Sequence, residues 1–485
     1  MAATPTAKVD TPHKHYGTYA AKWQRCRDAS DGQDKIHAKG ETYLPKLKDQ
    51  APADYDAYRK RAVFYNATWR TLDALRGMLF RKDPQTALPA KVEGYASDID
   101  MAGTSLMTFA REVALEVLEV GRFGILVDHP AAPAGVTAMS VAAAEAQGLR
   151  PTLQAYKAES IINWQYARVK NRWMLVQVRL KEEVSEPDGE WGETCVDQIR
   201  VLELVEGAYR QRLFRKADGE KGEWVQTDEI TPTMNGAPLG FIPFYIVGPD
   251  GVDARLDEPP MIDLVDLNLA HYRVTADYEH GCHFTGLPTA VVSGYMPPDT
   301  ASPLYIGSTA AWVFPDPNAK ATFLEFTGQG LSALVSNLDR KEQQMAIIGA
   351  RMLFAEKRQV EAAETAAIHR TGEASVLASI AMGVSEGIEQ ALTVFAQWCG
   401  VAGEVVYQLN RDFNPAMLDA QQLTALLKAV QAGQMSEQEF FDLMQRGDLI
   451  DSEQSFEAHK EQIGVVEPVR PVVPANDPGA QGAVA

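Results

Sequence analysis

The chain has 485 residues, 46% of them hydrophobic and 23% charged, and a formal net charge of −19. That length and apolar content allow a substantial core and two to four domains, and they exclude a disordered chain. The charge is uneven: residues 1–82 hold 16 Lys and Arg against 9 Asp and Glu, which is +7 and leaves −26 for residues 83–485. An acidic bulk argues against tight sequence-nonspecific DNA binding, because phosphate affinity comes mainly from counterion release by Lys and Arg; its plainest role is solubility, and it permits DNA to slide past without being gripped.

Residues 1–50 show little periodicity and predict an arm with short helical pieces. From 53 to 80 the pattern predicts a helix whose Ala62, Tyr65, Trp69, Leu72, Leu75 and Leu79 share a face, ended by Asp83-Pro84. A second helix is predicted over 105–120, followed by a strand in GRFGILVD, over 122–128. The Ala-rich run 130–148 reads as a surface insertion. From about 150 to 247 the signal is β, with a hairpin turn at Lys170-Asn171 and another turn at Ala217-Asp218-Gly219.

The next helix, over 259–280, carries two apolar rows. Ile262, Val265, Leu269, Tyr272 and Ala276 form one, and Leu264, Leu267, His271, Val274 and Tyr278 the other. A third row, Asp263, Asp266, Arg273 and Asp277, is mostly acidic. Two packed sides and an acidic face fit a ring of helices around a lumen, and equally a helix inside an ordinary bundle. A β-like excursion with several prolines follows. Then comes a helix with Leu331, Val335, Leu338 and Met345 on one face, and a break over 349–370. The stripe Leu377, Ile380, Val384, Ile388, Leu392, Phe395, Cys399, Ala402, Val406 and Leu409 predicts one much longer helix after it. Shorter helices are predicted over 415–432, 436–445 and 452–462, the second opened by a Ser436/Glu439 capping box. The Pro- and Gly-rich end, from 464 on, reads as disordered.

Cys26, Cys195, Cys282 and Cys399 form no C-x-x-C pair, so a reducing compartment without disulfides or zinc knuckles is expected. The N-terminal residues lack the layout of a signal peptide, and no apolar run reaches membrane-spanning length, so a soluble protein without membrane contact is expected. Gly328, Gly330 and Ala333 match a G-x-G-x-x-A fingerprint, yet no parallel strand returns and no ribose-binding acid follows, so the two glycines read as a strand-to-helix turn. His271, His280, Cys282 and His283 match no zinc spacing, and His271 on its apolar row reads as a packing residue. No P-loop, nucleophile elbow or H-E-x-x-H is present. No enzyme activity, catalytic residue, cofactor or metal is expected. Within the break, Arg351, Lys357, Arg358 and Arg370 outnumber Glu356, Glu361 and Glu364, leaving it slightly basic inside an acidic half. It reads either as a solvated connection or as a loop making weak, salt-sensitive contacts to a polyanion.

The runs YNATWRTLDALRGMLFRKDP, PPMIDLVDLNLAHYRVTADYEHGCHFTGLPTAVVSGY and ETAAIHRTGEASVLASIAMGVSEGIEQALTVFAQWCG resemble tailed-bacteriophage portal proteins. The similarity is greatest to a group long catalogued as a domain of unknown function, and it covers about residues 40–465. It implies an α+β portal-like fold. Residues 1–258 would form an arm and wing that is β-rich over 150–247, 259–284 a stem helix, 285–328 a small α/β clip and 329–348 the second stem helix. Residues 349–369 would be the channel loop, 370–412 a long kinked wing helix, 413–463 a short helical crown and 464–485 a disordered tail. It further implies a homododecameric ring at one capsid vertex in the virion, assembled in the host cytoplasm, through which the genome is packaged and ejected. The implied partners are the terminase large subunit, the head–tail adaptor, the major capsid or scaffold protein, and double-stranded DNA passing non-specifically. Asp263, Asp266 and Asp277 are expected to face the channel or a subunit boundary, with Arg351, Lys357, Arg358 and Arg370 as candidates for the channel loop. The competing expectations are an oligomeric adaptor or scaffold without DNA passage and, behind it, a nucleotide-binding enzyme using the Gly328 turn.

Overall fold

Helices α1 (Tyr16–Asp31), α2 (Gln33–Lys39), α3 (Pro52–Arg61) and α4 (Ala67–Leu79) open the chain, followed by β1 (Gln85–Ala87), the single turn α5 (Ala90–Glu93) and α6 (Leu106–Val120). The structure is a computed structural model and describes residues 8–130, 143, 147–217, 222–286, 289–294, 312, 314, 317–324, 328, 330–352, 375–411, 413, 430, 435–446 and 454–464. It divides into two units, Met1–Arg411 and Asp412–Ala485.

Within the first 50 residues the expected helical pieces form, and α1 is packed against the rest of its unit. α1 buries Trp23, Cys26 and Ala29, and Arg27 binds Glu116 and Glu119 of α6 together with Glu159. Polar pairing to distant carboxylates holds this helix down, which its own weakly apolar sequence does not announce. The single helix expected over 53–80 is two. The chain is extended at Ala62, and the Asn66 side chain restarts the helix by accepting a hydrogen bond from the Trp69 N–H at 2.9 Å. Leu72, Leu75 and Leu79 are buried as the stripe predicts, but Tyr65 and Trp69 stay in solvent. α6 starts on Ser105, which caps the Thr108 N–H, and ends at Gly121 in the left-handed conformation.

Strands β2 (Phe123–Asp128) and β3 (Thr152–Lys157) follow, then an antiparallel meander of β4 (Ile161–Val169), β5 (Arg172–Asp188), β6 (Gly192–Val205), β7 (Ala208–Lys216) and β8 (Trp224–Ile230). Lys170 and Asn171 both have positive φ and make the expected two-residue turn between β4 and β5. After the short β9 (Thr233–Met234) and β10 (Ala237–Pro238), β11 (Phe244–Gly248) and β12 (Gly251–Val252) complete a second sheet, ordered β12-β11-β2-β3. Leu126, Trp164, Val178, Leu202, Tyr209 and Phe244 join the two sheets in one core. Nearly all of the insertion at 130–148 and most of the turn at Ala217-Asp218-Gly219 lie outside the described residues.

The unit continues with α7 (Ile262–Gly286), the antiparallel pair β13 (Thr289–Ser293) and β14 (Lys320–Leu324), α8 (Leu331–Arg351), α9 (Val376–Trp398) and β15 (Val406–Gln408). The long helix is therefore shorter than its apolar stripe predicts. It stops at Trp398, and Gly400 (φ 68) turns the chain, as glycine does at no steric cost. Of the remaining stripe residues Val406 enters β15, which pairs with β1 over Val406↔Ala87 to Gln408↔Gln85, and Leu409 follows it. α9 buries Leu377, Ile380, Val384, Ile388, Leu392 and Phe395 against β11, β12, β15 and α6. Overall the fold is α+β.

In the second unit, α10 (Glu437–Arg446) and α11 (Phe456–Gly464) are described. The expected capping box forms: Ser436 Oγ accepts from the Glu439 N–H at 3.1 Å, and Glu439 accepts from the Ser436 N–H at 2.9 Å. Phe441 meets Phe456 edge-on at 5.5 Å. The helix expected over 415–432 and the terminal segment beyond Gly464 lie outside the described residues. Among the described residues no helix is long and apolar enough to cross a membrane.

Candidate functional site

The two apolar rows of α7 have different neighbours. α7 packs on α8 and also on α1, α3 and α4. At 25 and 21 residues, α7 and α8 extend about 37 and 31 Å at 1.5 Å per residue. They run antiparallel: Gly281 near the end of α7 lies against Leu331 at the start of α8, so close that a Cβ there would sit 2.6 Å from Leu331 Cδ2. Ten residues earlier in α7, His271 Nε2 lies 3.3 Å from Glu342 Oε1. One register thus holds along the hairpin, with β13 and β14 at its far end. Gly328, with φ of 64, accepts the Leu331 N–H at 2.9 Å through its carbonyl, ahead of α8.

The near end of the hairpin is fixed by residues without an obvious sequence signal. Asn268 is buried; its Oδ1 accepts from the Thr68 N–H and hydroxyl at 3.1 and 3.0 Å, and its Nδ2 donates to the Tyr65 carbonyl at 2.8 Å. Gly349 abuts Thr71 of α4. The Leu377 N–H donates to the Met352 carbonyl at 3.1 Å, so the chain leaves for 353–374 and returns at one point.

Asp263, Asp266, Arg273 and Asp277 all lie on the exposed side of α7. Asp266 binds Arg25 of α1 at 2.7 Å, Asp277 accepts from the Tyr58 hydroxyl of α3 at 2.6 Å, and Arg273 donates to the Tyr43 carbonyl at 2.9 Å. Asp266 and Asp277 are thus engaged by the basic N-terminal segment yet remain exposed, as does Asp263. Burial and the hydrogen bond to Asp277 raise the Tyr58 pKa, which keeps the phenol protonated as a donor. His271 is buried and held below the ordinary imidazole range by desolvation, against the pull of Glu342. Desolvation, with Arg61 nearby, lowers His280 as well.

Arg351 is exposed in the last turn of α8. Lys357, Arg358 and Arg370 lie outside the described residues. Among the described residues no group of three or more His, Cys, Asp or Glu is placed to hold a metal ion. The arrangement is mechanical: a braced helical hairpin with a β tip and a closed base, whose carboxylates are engaged by Arg25 and Tyr58.

The sequence model of a domain of unknown function, DUF4055, matches residues 260–399, which comprise the hairpin, the connection at its base and α9. The match spans under a third of the chain. No curated protein matches the sequence. Among solved structures, a chain from one described as "Neck of native GTA particle computed with C12 symmetry" aligns with 80% of this chain and 92% of its own length, at 11% identity and a TM-score of 0.35. Similarity of that size does not define a shared fold.

Proposed function

We propose that the chain is a structural component of the head–tail region of a tailed bacteriophage particle and, more specifically, one subunit of its portal ring. The observation that carries this is the hairpin: two antiparallel helices of about 31 and 37 Å, a β pair at the far end, and a base where Met352 and Leu377 bring the ends of 353–374 together. The resemblance in sequence spans the same segment. In this reading α7 and α8 are the stem helices, β13 and β14 belong to the clip, 349–369 is the channel loop and α9 is the wing helix that anchors it. The clip meets the terminase large subunit during filling and the head–tail adaptor afterwards. The chain itself catalyses nothing; ATP hydrolysis belongs to the terminase. Twelve copies would carry a charge of about −230, so that the acidic surface lets DNA move without adhering.

Negative-stain images with native mass of the purified full chain test the reading. Closed rings with a hole wide enough for duplex DNA are expected. Rings without a through-hole would leave an adaptor, and a compact monomer or dimer would exclude both.

A further inference from the structure

The β5–β6 hairpin outruns its sheet. β4 stops pairing with β5 at Leu180, and β7 leaves β6 at Gln198. Beyond those points six pairs, Glu183↔Asp197 to Asp188↔Gly192, continue as a two-stranded arm about 20 Å long, with no third strand on either edge among the described residues. A ribbon of two strands is marginal in water by itself. Residues 182–197 contain seven Asp and Glu and no Lys or Arg. At the base of the arm Arg215 binds Glu186 at 2.5 Å, and Lys181 and Lys216 reach Asp197 at 3.5 and 3.7 Å. Toward the tip, Asp188, Glu190 and Glu193 have no Lys or Arg partner among the described residues, and Trp191 between them is 91% exposed. An indole left in water beside three carboxylates has the composition of a contact surface whose partner is cationic and aromatic.

Such a surface exists on the same chain. On α4 and the turn before it, Val63, Tyr65 and Trp69 are 51%, 40% and 39% exposed. The Arg70 guanidinium lies 4.8 Å from the Tyr65 ring, and that of Arg76 5.8 Å from the Trp69 ring. Tyr, Trp and Arg are the residues that dominate binding energy at interfaces. This face belongs to the segment of charge +7, whereas the arm is uniformly acidic.

We propose that the arm tip of one copy docks on the Tyr65, Trp69, Arg70 and Arg76 face of α4 on a second copy. The contact joins two different surfaces, and a contact of that kind generates a ring when its rotation closes. The inference rests on the ring reading in naming a second copy as occupant.

Cys195 is exposed on the arm and provides the test. In the full chain, Asp73→Cys places a thiol on the same α4 face. Mild oxidation is expected to give a ladder of cross-linked chains that disappears in Asp73→Cys with Cys195→Ser. Arg70→Glu with Arg76→Glu is expected to weaken self-association about tenfold or more, and Trp191→Ala with Glu190→Arg to do the same. If these charge variants fail to fold, the cross-link decides alone. Oligomers that form normally without the ladder, or with a ladder that survives Cys195→Ser, overturn the arm contact and leave the ring reading intact. A chain that stays monomeric at every concentration overturns both.

Discussion

Asn268 fixes where α7 meets the N-terminal helices, because all three of its hydrogen bonds go to residues 65–68. Each such bond contributes only about 1 kcal/mol net, but a partner left buried and unpaired costs about 1–3 kcal/mol. One turn further along α7, His271 adds a pH dependence. Desolvation lowers its pKa, so the folded protein binds that proton more weakly than the unfolded chain, whose imidazole titrates near 6.5. As pH falls below that value the unfolded state takes up the proton first, so stability is present above about pH 6.5 and declines below it; His280 is shifted in the same direction. Melting temperatures compared at about pH 7.5 and 5.5 are expected to fall on acidification, and His271→Gln is expected to reduce that fall. An equal fall in wild type and variant would remove His271 from the account. His271 was legible as a packing histidine from its place on an apolar row. Its partner Glu342 was not, because a pairing between residues 71 apart depends on the register of two helices, which neither helix encodes alone. The same holds for the acidic row: the alignment of Asp263, Asp266 and Asp277 follows from helical spacing, but the cover supplied by Arg25 and Tyr58 is tertiary.

α9 meets the second sheet through two glycines one turn apart. A Cβ at Gly387 would overlap Val247 Cγ2, and one at Gly383 would lie 2.7 Å from the Gly248 carbonyl oxygen. At an unencumbered helical position, alanine is more favourable than glycine by about 1 kcal/mol. Here the contact with a stiff Val side chain and with backbone reverses the sign. Gly387→Val is expected to destabilise the protein by about 1–3 kcal/mol, read as a lower urea midpoint at unchanged slope; a midpoint equal to wild type would refute the close approach. The sequence showed the buried stripe of this helix but not its end. Val406 in β15 and the buried Leu409 just after it continue the apolar spacing, and an apolar run does not by itself distinguish a helix from a buried strand. The left-handed turn at Gly400 and the bond from the Tyr407 N–H to Glu389 at 3.2 Å make the difference. Period two, by contrast, made the meander readable, since its faces alternate between core and solvent and its first turn carries Asn171, a residue that tolerates positive φ.

At the scale of the whole molecule, charge sets the mechanics. An assembly that passes DNA must lower its affinity for phosphate everywhere except where a brief hold is useful, because each retained phosphate contact must be broken again for the duplex to advance. The chain has the corresponding distribution: −26 over residues 83–485, and within that stretch the residues from Arg351, at the end of α8, to Arg370 hold Arg351, Lys357, Arg358 and Arg370 against Glu356, Glu361 and Glu364. In the proposed portal, Lys357 and Arg358 make transient contacts with the backbone of passing DNA. Neutralising both, Lys357→Ala with Arg358→Ala, is expected to reduce the DNA retained in nuclease-treated particles. The change should be largest at low salt, because losing two phosphate contacts removes about two units from the slope of log affinity against log salt. Particle number and ring mass should stay the same, since the rings would be held by the hairpin, the wing and the arm rather than by this connection. Retention equal to wild type at every salt concentration would strip the connection of a DNA-holding role while leaving the ring standing. Loss of rings would instead move these two residues from the lumen to a subunit boundary.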